Sequence, residues 1–68
     1  MNKLGEKIKE LRLERQLNKK ELAQKAGVSI PIINGLEKGG YRASDLTIAK
    51  IAKALEVDFM ELLALKEN

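Results

Sequence analysis

A chain of 68 residues with 13 Lys/Arg and 10 Asp/Glu has a formal net charge of +3, and it contains neither cysteine nor histidine. This composition excludes disulfides, thiolate metal sites and histidine-based catalysis, so the fold must rest on apolar packing. Residues 1–34 hold eight Lys/Arg and four Asp/Glu, whereas residues 35–68 hold five and six. The basic first half suits an anionic partner, although a solvated surface with a mild bias would give the same pattern.

Several classes of function lack their usual signals. No Gly-rich phosphate loop precedes a helix and no carboxylates cluster at metal-ligand spacing, so we expect no enzyme, no cofactor and no metal. No apolar run approaches the roughly 20 residues that span a bilayer, and the N-terminal segment lacks the apolar stretch of a signal peptide. We therefore expect a cytoplasmic protein with no membrane partner.

Helical periodicity runs through the whole chain and predicts an all-α fold in one domain, residues 1–68. The predicted helices span about residues 3–15, 19–26, 30–38, 45–55 and 59–65. Asn2 is placed to cap the first helix. Asn18 with Glu21 three residues later resembles a capping box for the second. Gly27, which tolerates positive φ, should end that helix.

The later helices carry similar signals. Ser29 is a good N-cap for the third, and Pro31 lies in its first turn, where the missing N–H costs no helical bond. Ser44 precedes the fourth helix, whose apolar stripe is Ile48, Ile51, Ala52 and Leu55. Asp58 precedes the fifth, whose expected buried face is Phe59, Leu62 and Leu63. Five short helices joined by short loops predict a compact bundle.

The most informative segment is KKELAQKAGVSIPIINGLEK, residues 19–38. Two helices that cross steeply need a small residue at the crossing and a residue tolerant of positive φ in the turn, and Ala23 and Gly27 meet these needs. The positions that must face the core are apolar: Leu22, Ala26, Val28, Ile33 and Leu36. The match of all these positions in register predicts two helices joined by a tight turn.

The chain resembles the helix-turn-helix domain of phage repressor and Cro proteins, also called the xenobiotic-response-element family. The resemblance covers nearly the whole chain, through LGEKIKELR, LAQKAGVS, INGLEKG and LTIAKIAKALEVDFMELL. It implies a five-helix bundle of the lambda-repressor-like type whose third helix, 30–38, enters the major groove of double-stranded DNA. It also implies a sequence-specific transcriptional regulator of bacterial or phage type, a repressor that acts as a dimer.

The resemblance assigns phosphate contacts to the start of the second helix and to the loop after the third. The candidates are Asn18, Lys19, Lys38, Tyr41 and Arg42, and the alternative for each is an ordinary exposed polar residue. Lys19 stands where glutamine is usual in the family, so we expect stronger salt dependence and less precise placement. Under this interpretation Lys19→Ala weakens binding to all sequences alike, whereas Asn34→Ala relaxes the preference at one position.

The third helix departs from the family at its outward face. The base-reading candidates are Ser29, Ile30, Pro31, Ile32, Asn34 and Gly35, with Lys38 at the end, where family members usually carry Gln, Arg, Ser, Thr or Asn. In one explanation the apolar residues contact thymine methyls, Asn34 pairs with adenine, and Gly35 lets the helix sit deep. In a second, this face binds a protein partner. In a third, the apolar residues carry no function and specificity comes from DNA shape.

Two further assignments follow from the resemblance. Arg12 and Glu37 stand where many members pair the first helix with the end of the third, and the alternative is two solvated charges. The C-terminal end often forms a two-fold interface in the family, and Val57, Met60 and Leu65 are the candidates for a homodimer at least on DNA. The alternative there is a helix that only closes the core. The rival overall function is a protein-interaction module on the same fold, such as an antitoxin or a partner-inhibited regulator.

Overall fold

The computed structural model describes residues 3–66. Five helices follow one another: α1 (Lys3–Glu14), α2 (Lys19–Ala26), α3 (Ile30–Lys38), α4 (Asp45–Leu55) and α5 (Phe59–Leu63). The all-α prediction is therefore confirmed, and α2, α3 and α4 have the predicted bounds. The assignment of a cap to Asn2 lies outside the described residues.

Helices α1 and α5 are shorter than predicted. Helix α1 ends at Glu14 because Gln16 adopts φ 56°, and the Leu17 amide then bonds back to the Arg12 carbonyl at 3.0 Å. Helix α5 ends at Leu63 because the following amides, Leu65 and Lys66, donate to carbonyls three residues back rather than four. Where α1 and α5 end depends on how the chain turns toward the next part of the fold. The helical periodicity of the sequence does not encode that turn.

The predicted caps are present at the other helix ends. Asn18 Oδ1 accepts from the Glu21 amide at 2.7 Å, and the Glu21 carboxylate accepts from the Asn18 amide at 2.8 Å, which completes the capping box. Ser29 and Ser44 accept from amides three residues ahead. Asp58 accepts from the Met60 amide at 3.1 Å. Each such cap satisfies a donor that the helix itself cannot pair.

The helices surround one aliphatic core, with contacts that run from α1 to α3, from α3 to α2, from α2 to α4, from α4 to α5 and from α5 back to α1. The largest fully buried side chains come from all five helices: Ile8, Leu22, Ile33, Ile48, Ile51, Leu55 and Leu62. Phe59 and Leu63 are only partly buried and pack against this core. Within residues 3–66, no helix has the length and apolar character needed to cross a membrane.

Candidate functional site

The turn between α2 and α3 has the geometry that its residues predict. Gly27 adopts φ 73°, in the left-handed region that favours glycine, and the Val28 amide bonds to the Ala23 carbonyl at 3.0 Å. Ala23 is 2% exposed, so its small side chain lies inside the contact between the two helices. The turn therefore holds α3 at a defined angle to α2.

Helix α3 has one buried face and one exposed face. Ile33 and Leu36 point into the core, and Ile30 at the start of the helix is 45% exposed. Pro31 is exposed as well, whereas Ile32 is half-buried and packs against the core. The exposed face is thus narrower than the sequence indicated, because only part of the Ile32 side chain is available to a ligand.

A buried ion pair joins the end of α3 to α1. The Arg12 guanidinium donates to both carboxylate oxygens of Glu37, from Nε at 2.8 Å and from Nη2 at 3.1 Å. Arg12 Nη1 also donates to the Leu17 carbonyl at 2.9 Å. The two side chains are only 7% and 4% exposed, so they form a buried ion pair and are not two solvated charges. The bidentate geometry fixes both the position and the rotation of α3 relative to α1.

A second polar contact joins α2 directly to α3. Lys19 Nζ donates to Asn34 Oδ1 at 2.7 Å, and both residues are half-buried. The sequence placed Lys19 at a phosphate and Asn34 at a base, as two independent contacts. The hydrogen bond instead makes them one unit. No spacing rule could have found it, because the two residues are 15 positions apart and meet only through the angle between the helices.

Gly35 lies under the loop that follows α3. A Cβ added at Gly35 would stand 2.8 Å from the Cβ of Tyr41, a distance that real Cβ atoms essentially never show. The Gly35 carbonyl also accepts from the amides of Gly39, Gly40 and Tyr41 at 2.9, 3.1 and 3.3 Å. The need for glycine at position 35 thus has an internal cause, the close approach of Tyr41, whereas one of the three explanations from the sequence attributed it to a close approach of DNA.

The remaining phosphate candidates flank the exposed face of α3. Lys38 and Arg42 are exposed, and Tyr41 is 39% exposed above Gly35. Asn18 lies at the start of α2, where its Oδ1 already accepts the capping bond. Ser29 likewise uses its hydroxyl oxygen as a cap, which leaves its O–H free to donate. The phosphate candidates therefore lie at the start of α2, at the end of α3 and in the loop that follows it.

The C-terminal candidates are not equally available. Met60 is 60% exposed, but Val57 and Leu65 are partly buried and pack against the core of the same chain. Leu46, which the sequence analysis did not single out, is 67% exposed. Leu46 lies two positions before Ile48, the first residue of the apolar stripe of α4. Residues two positions apart on a helix lie on different faces, so the exposure of Leu46 could have been predicted from the helical period. Lys66 Nζ and Asp45 Oδ1, 2.9 Å apart, tie the end of the described chain to the start of α4.

A shallow pocket of about 400 Å³ opens between α2 and α4, away from the start of α2. Its lining combines three lysines with two alanines: Lys25, Lys50, Lys53, Ala26 and Ala54. Within residues 3–66, no three acidic, histidine or cysteine residues group closely enough to hold a metal ion.

Comparison with known proteins gives one family match. Residues 8–62 match the model of the helix-turn-helix family. The chain is similar to the HTH-type transcriptional regulator DdrOP3 of Deinococcus deserti, with 36% identity over 61 residues, which is 90% of this chain and 47% of that protein. It is also similar to the ImmF control region 10 kDa protein of Bacillus phage phi105, with 36% identity over 56 residues, 82% of this chain and 62% of that protein.

These two relatives are longer than the matched region, and the chain spans about half of the first and under two thirds of the second. Among solved structures, the chain is similar to the restriction-modification controller protein C.AhdI from Aeromonas hydrophila. The TM-score is 0.85 at 33% identity, and the alignment covers 88% of this chain and 91% of that one.

Proposed function

We propose that this chain, which belongs to the Cro/C1-type helix-turn-helix family, is a regulator of transcription that binds double-stranded DNA sequence-specifically. In this proposal the exposed face of α3 enters the major groove. Lys38, Tyr41 and Arg42 contact phosphates on one side of the groove, and the start of α2 contacts them on the other. A homodimer on a two-fold symmetric site supplies the contacts that one small domain lacks.

One observation carries the proposal. The Arg12–Glu37 pair and the α2–α3 turn hold α3 rigidly, yet its outward face stays uncovered, with Ile30 45% exposed. A helix that served only to close the core would need neither the exposed apolar residues nor the cationic residues at the start of α2 and after α3. An uncovered helix with such cations near its ends fits a groove lined by phosphates.

Selection of bound duplexes from a random pool tests the proposal. We expect a preferred site with two half-sites, spaced by about one helical turn of DNA, if two copies bind side by side. A selected pool with no shared sequence would contradict sequence-specific reading, and a single asymmetric half-site would contradict the dimer.

Salt dependence tests the phosphate contacts. We expect the logarithm of the association constant to fall linearly with the logarithm of salt concentration, by about 0.9 for each phosphate contacted. Arg42→Ala should reduce this slope by about 1, because it removes one such contact. Lys53→Ala removes the same charge from the pocket between α2 and α4 and should leave the slope nearly unchanged. Equal effects of the two variants on the slope would show that net charge, and not a contact between Arg42 and a phosphate, sets the salt dependence.

Duplexes in which uracil replaces thymine test the apolar contacts of Ile30 and Pro31. Uracil lacks the C5 methyl group but keeps the hydrogen-bonding edge of thymine, so a loss of affinity reports the methyl alone. We expect substitution at one or two positions in each half-site to weaken binding by roughly 3- to 10-fold, as burial of about one methyl group predicts. Titration of the selected duplex and its uracil derivatives measures this effect.

The exposure of Ile30 also supports a second candidate function, in which the same face binds a protein partner. The DNA experiments separate the two candidates. A flat response to every duplex, together with binding to a protein partner that Ile30→Ser abolishes, would favour the interaction module.

A further inference from the structure

The hydrogen bond between Lys19 and Asn34 determines how the Asn34 amide is oriented. A lysine ammonium group can only donate, so the atom that Lys19 Nζ approaches at 2.7 Å must be the amide oxygen. The amide nitrogen of Asn34 therefore points away from Lys19. The orientation follows from the chemistry of the partner and not from a choice between two similar side-chain conformers.

This orientation changes what Asn34 can recognise. Asparagine pairs with adenine by accepting from the N6 amino group while donating to N7, so it uses its amide oxygen as an acceptor. Here the Lys19 ammonium takes one of the two acceptor positions of the Asn34 oxygen, and its charge would repel the partial positive charge of an N6 amino group that approached the other. The paired arrangement thus disfavours the adenine contact that the sequence alone suggested.

Apart from the second lone pair of the Asn34 oxygen, which lies beside the ammonium, the groups that remain are donors. Asn34 keeps two N–H bonds on its amide nitrogen, and Lys19 keeps two on its ammonium after one is used. Both side chains are half-buried, so part of each remains open to a ligand. Among the major-groove edges, guanine presents two adjacent acceptors, N7 and O6, and no donor on the same base. A donor-only pair is complementary to that edge.

We propose that Lys19 and Asn34 act as a single donor-only pair that reads a guanine in the major groove. The inference rests on the proposed function and names the base that this part of the site recognises. Lys19 then acts as a specificity-determining residue, because it orients Asn34 and adds its own donors to the guanine edge. In the simpler interpretation Lys19 is a phosphate contact that is indifferent to sequence.

Four duplexes that differ only at one base pair of the selected site test whether Lys19 and Asn34 act together. The position is the one whose preference Asn34→Ala abolishes. At that position the wild-type protein should bind the guanine duplex about 5- to 150-fold more tightly than the adenine duplex, the range typical of a good bidentate contact. Lys19→Met keeps an unbranched apolar stem and frees the Asn34 oxygen. This variant should lower the guanine-to-adenine ratio at least tenfold.

Lys20→Met is the matched control. Lys20 is the next residue of α2, is exposed, and loses the same charge in the variant. It should weaken binding to all four duplexes by a similar factor and leave the guanine preference intact. If Lys19→Met behaves in the same way as Lys20→Met, the proposed pair is overturned while sequence-specific binding stands.

A measurement on the protein without DNA tests the hydrogen bond itself. In ¹H–¹⁵N NMR spectra, Lys19→Met should shift the side-chain amide resonances of Asn34, and Lys20→Met should leave them in place. Unchanged Asn34 resonances in Lys19→Met would overturn the pairing whatever the DNA results. Binding of the wild-type protein to no duplex at all would overturn the proposed function, and this reading of guanine with it.

Discussion

Arg12→Ala should lower the free energy of unfolding by about 3–5 kcal/mol, because it removes the guanidinium that donates two hydrogen bonds to the buried Glu37 carboxylate. The Glu37 side chain is 4% exposed and accepts two hydrogen bonds from Arg12, so water cannot readily replace the guanidinium. The Leu17 carbonyl would lose its donor as well. A domain of this size has only about 3–10 kcal/mol of stability in total, so much of the variant should be unfolded at 37 °C.

Urea denaturation followed by far-ultraviolet circular dichroism measures this loss. If the single variant does not fold, the double variant Arg12→Met with Glu37→Met provides a second measurement, since it removes both charges of the pair. We expect the double variant to be much more stable than Arg12→Ala. The surface pair Lys7–Glu10, with side chains 31% and 58% exposed, is the control, and Lys7→Ala should cost under about 1 kcal/mol.

An unchanged melting temperature in Arg12→Ala would contradict the buried pair. The pair also bears on function, because it holds the C-terminal end of α3. In Arg12→Met with Glu37→Met, we expect a folded domain whose α3 is less firmly placed, and hence weaker discrimination between related DNA sites.

Gly35→Ala should destabilise the domain by about 1–3 kcal/mol, because the new Cβ would lie 2.8 Å from Tyr41 Cβ. Tyr41 cannot relieve the clash by a change of rotamer, since its Cβ position follows from its backbone. The loop would have to move, and with it the bonds from three successive amides to the Gly35 carbonyl. Alanine gains about 1 kcal/mol of helix propensity over glycine, so the measured loss is the clash minus that gain.

Gly40→Ala is the control for Gly35→Ala. Its Cβ would meet nothing within 4 Å, so we expect little or no loss of stability. A second variant identifies the clashing atom. Adding Tyr41→Gly to Gly35→Ala removes that Cβ and should relieve the clash, whereas adding Tyr41→Ala keeps it and should not.

Stability and DNA affinity together distinguish two roles for Gly35. If the glycine serves only the approach of DNA, Gly35→Ala should weaken DNA binding while leaving the protein as stable as before or more so. The contact with Tyr41 predicts a loss of stability in the absence of DNA. It also predicts a smaller salt slope for DNA binding, because Arg42 moves with the loop.

The helices and their caps could be predicted because their signals are local. The capping box at Asn18 and the positive φ of Gly27 depend on residues within about four positions, and the apolar stripes follow directly from the helical period. The pairing of Arg12 with Glu37 is long-range, and it was accessible only through the resemblance to a family, not through spacing. The ends of α1 and α5 were overestimated because the chain leaves each helix in a tighter turn that periodicity does not reveal.

The sequence by itself determined the inward face of α3, since burial of the apolar residues of that helix places Ile33 and Leu36 in the core. Tertiary structure alone decided what the outward residues contact within the chain. It placed Lys19 against Asn34, set Tyr41 on Gly35, and turned Val57 and Leu65 back onto the core. The physical reason is that a helix face is set by a period of a few residues, whereas a contact between two faces depends on the crossing angle of two packed helices.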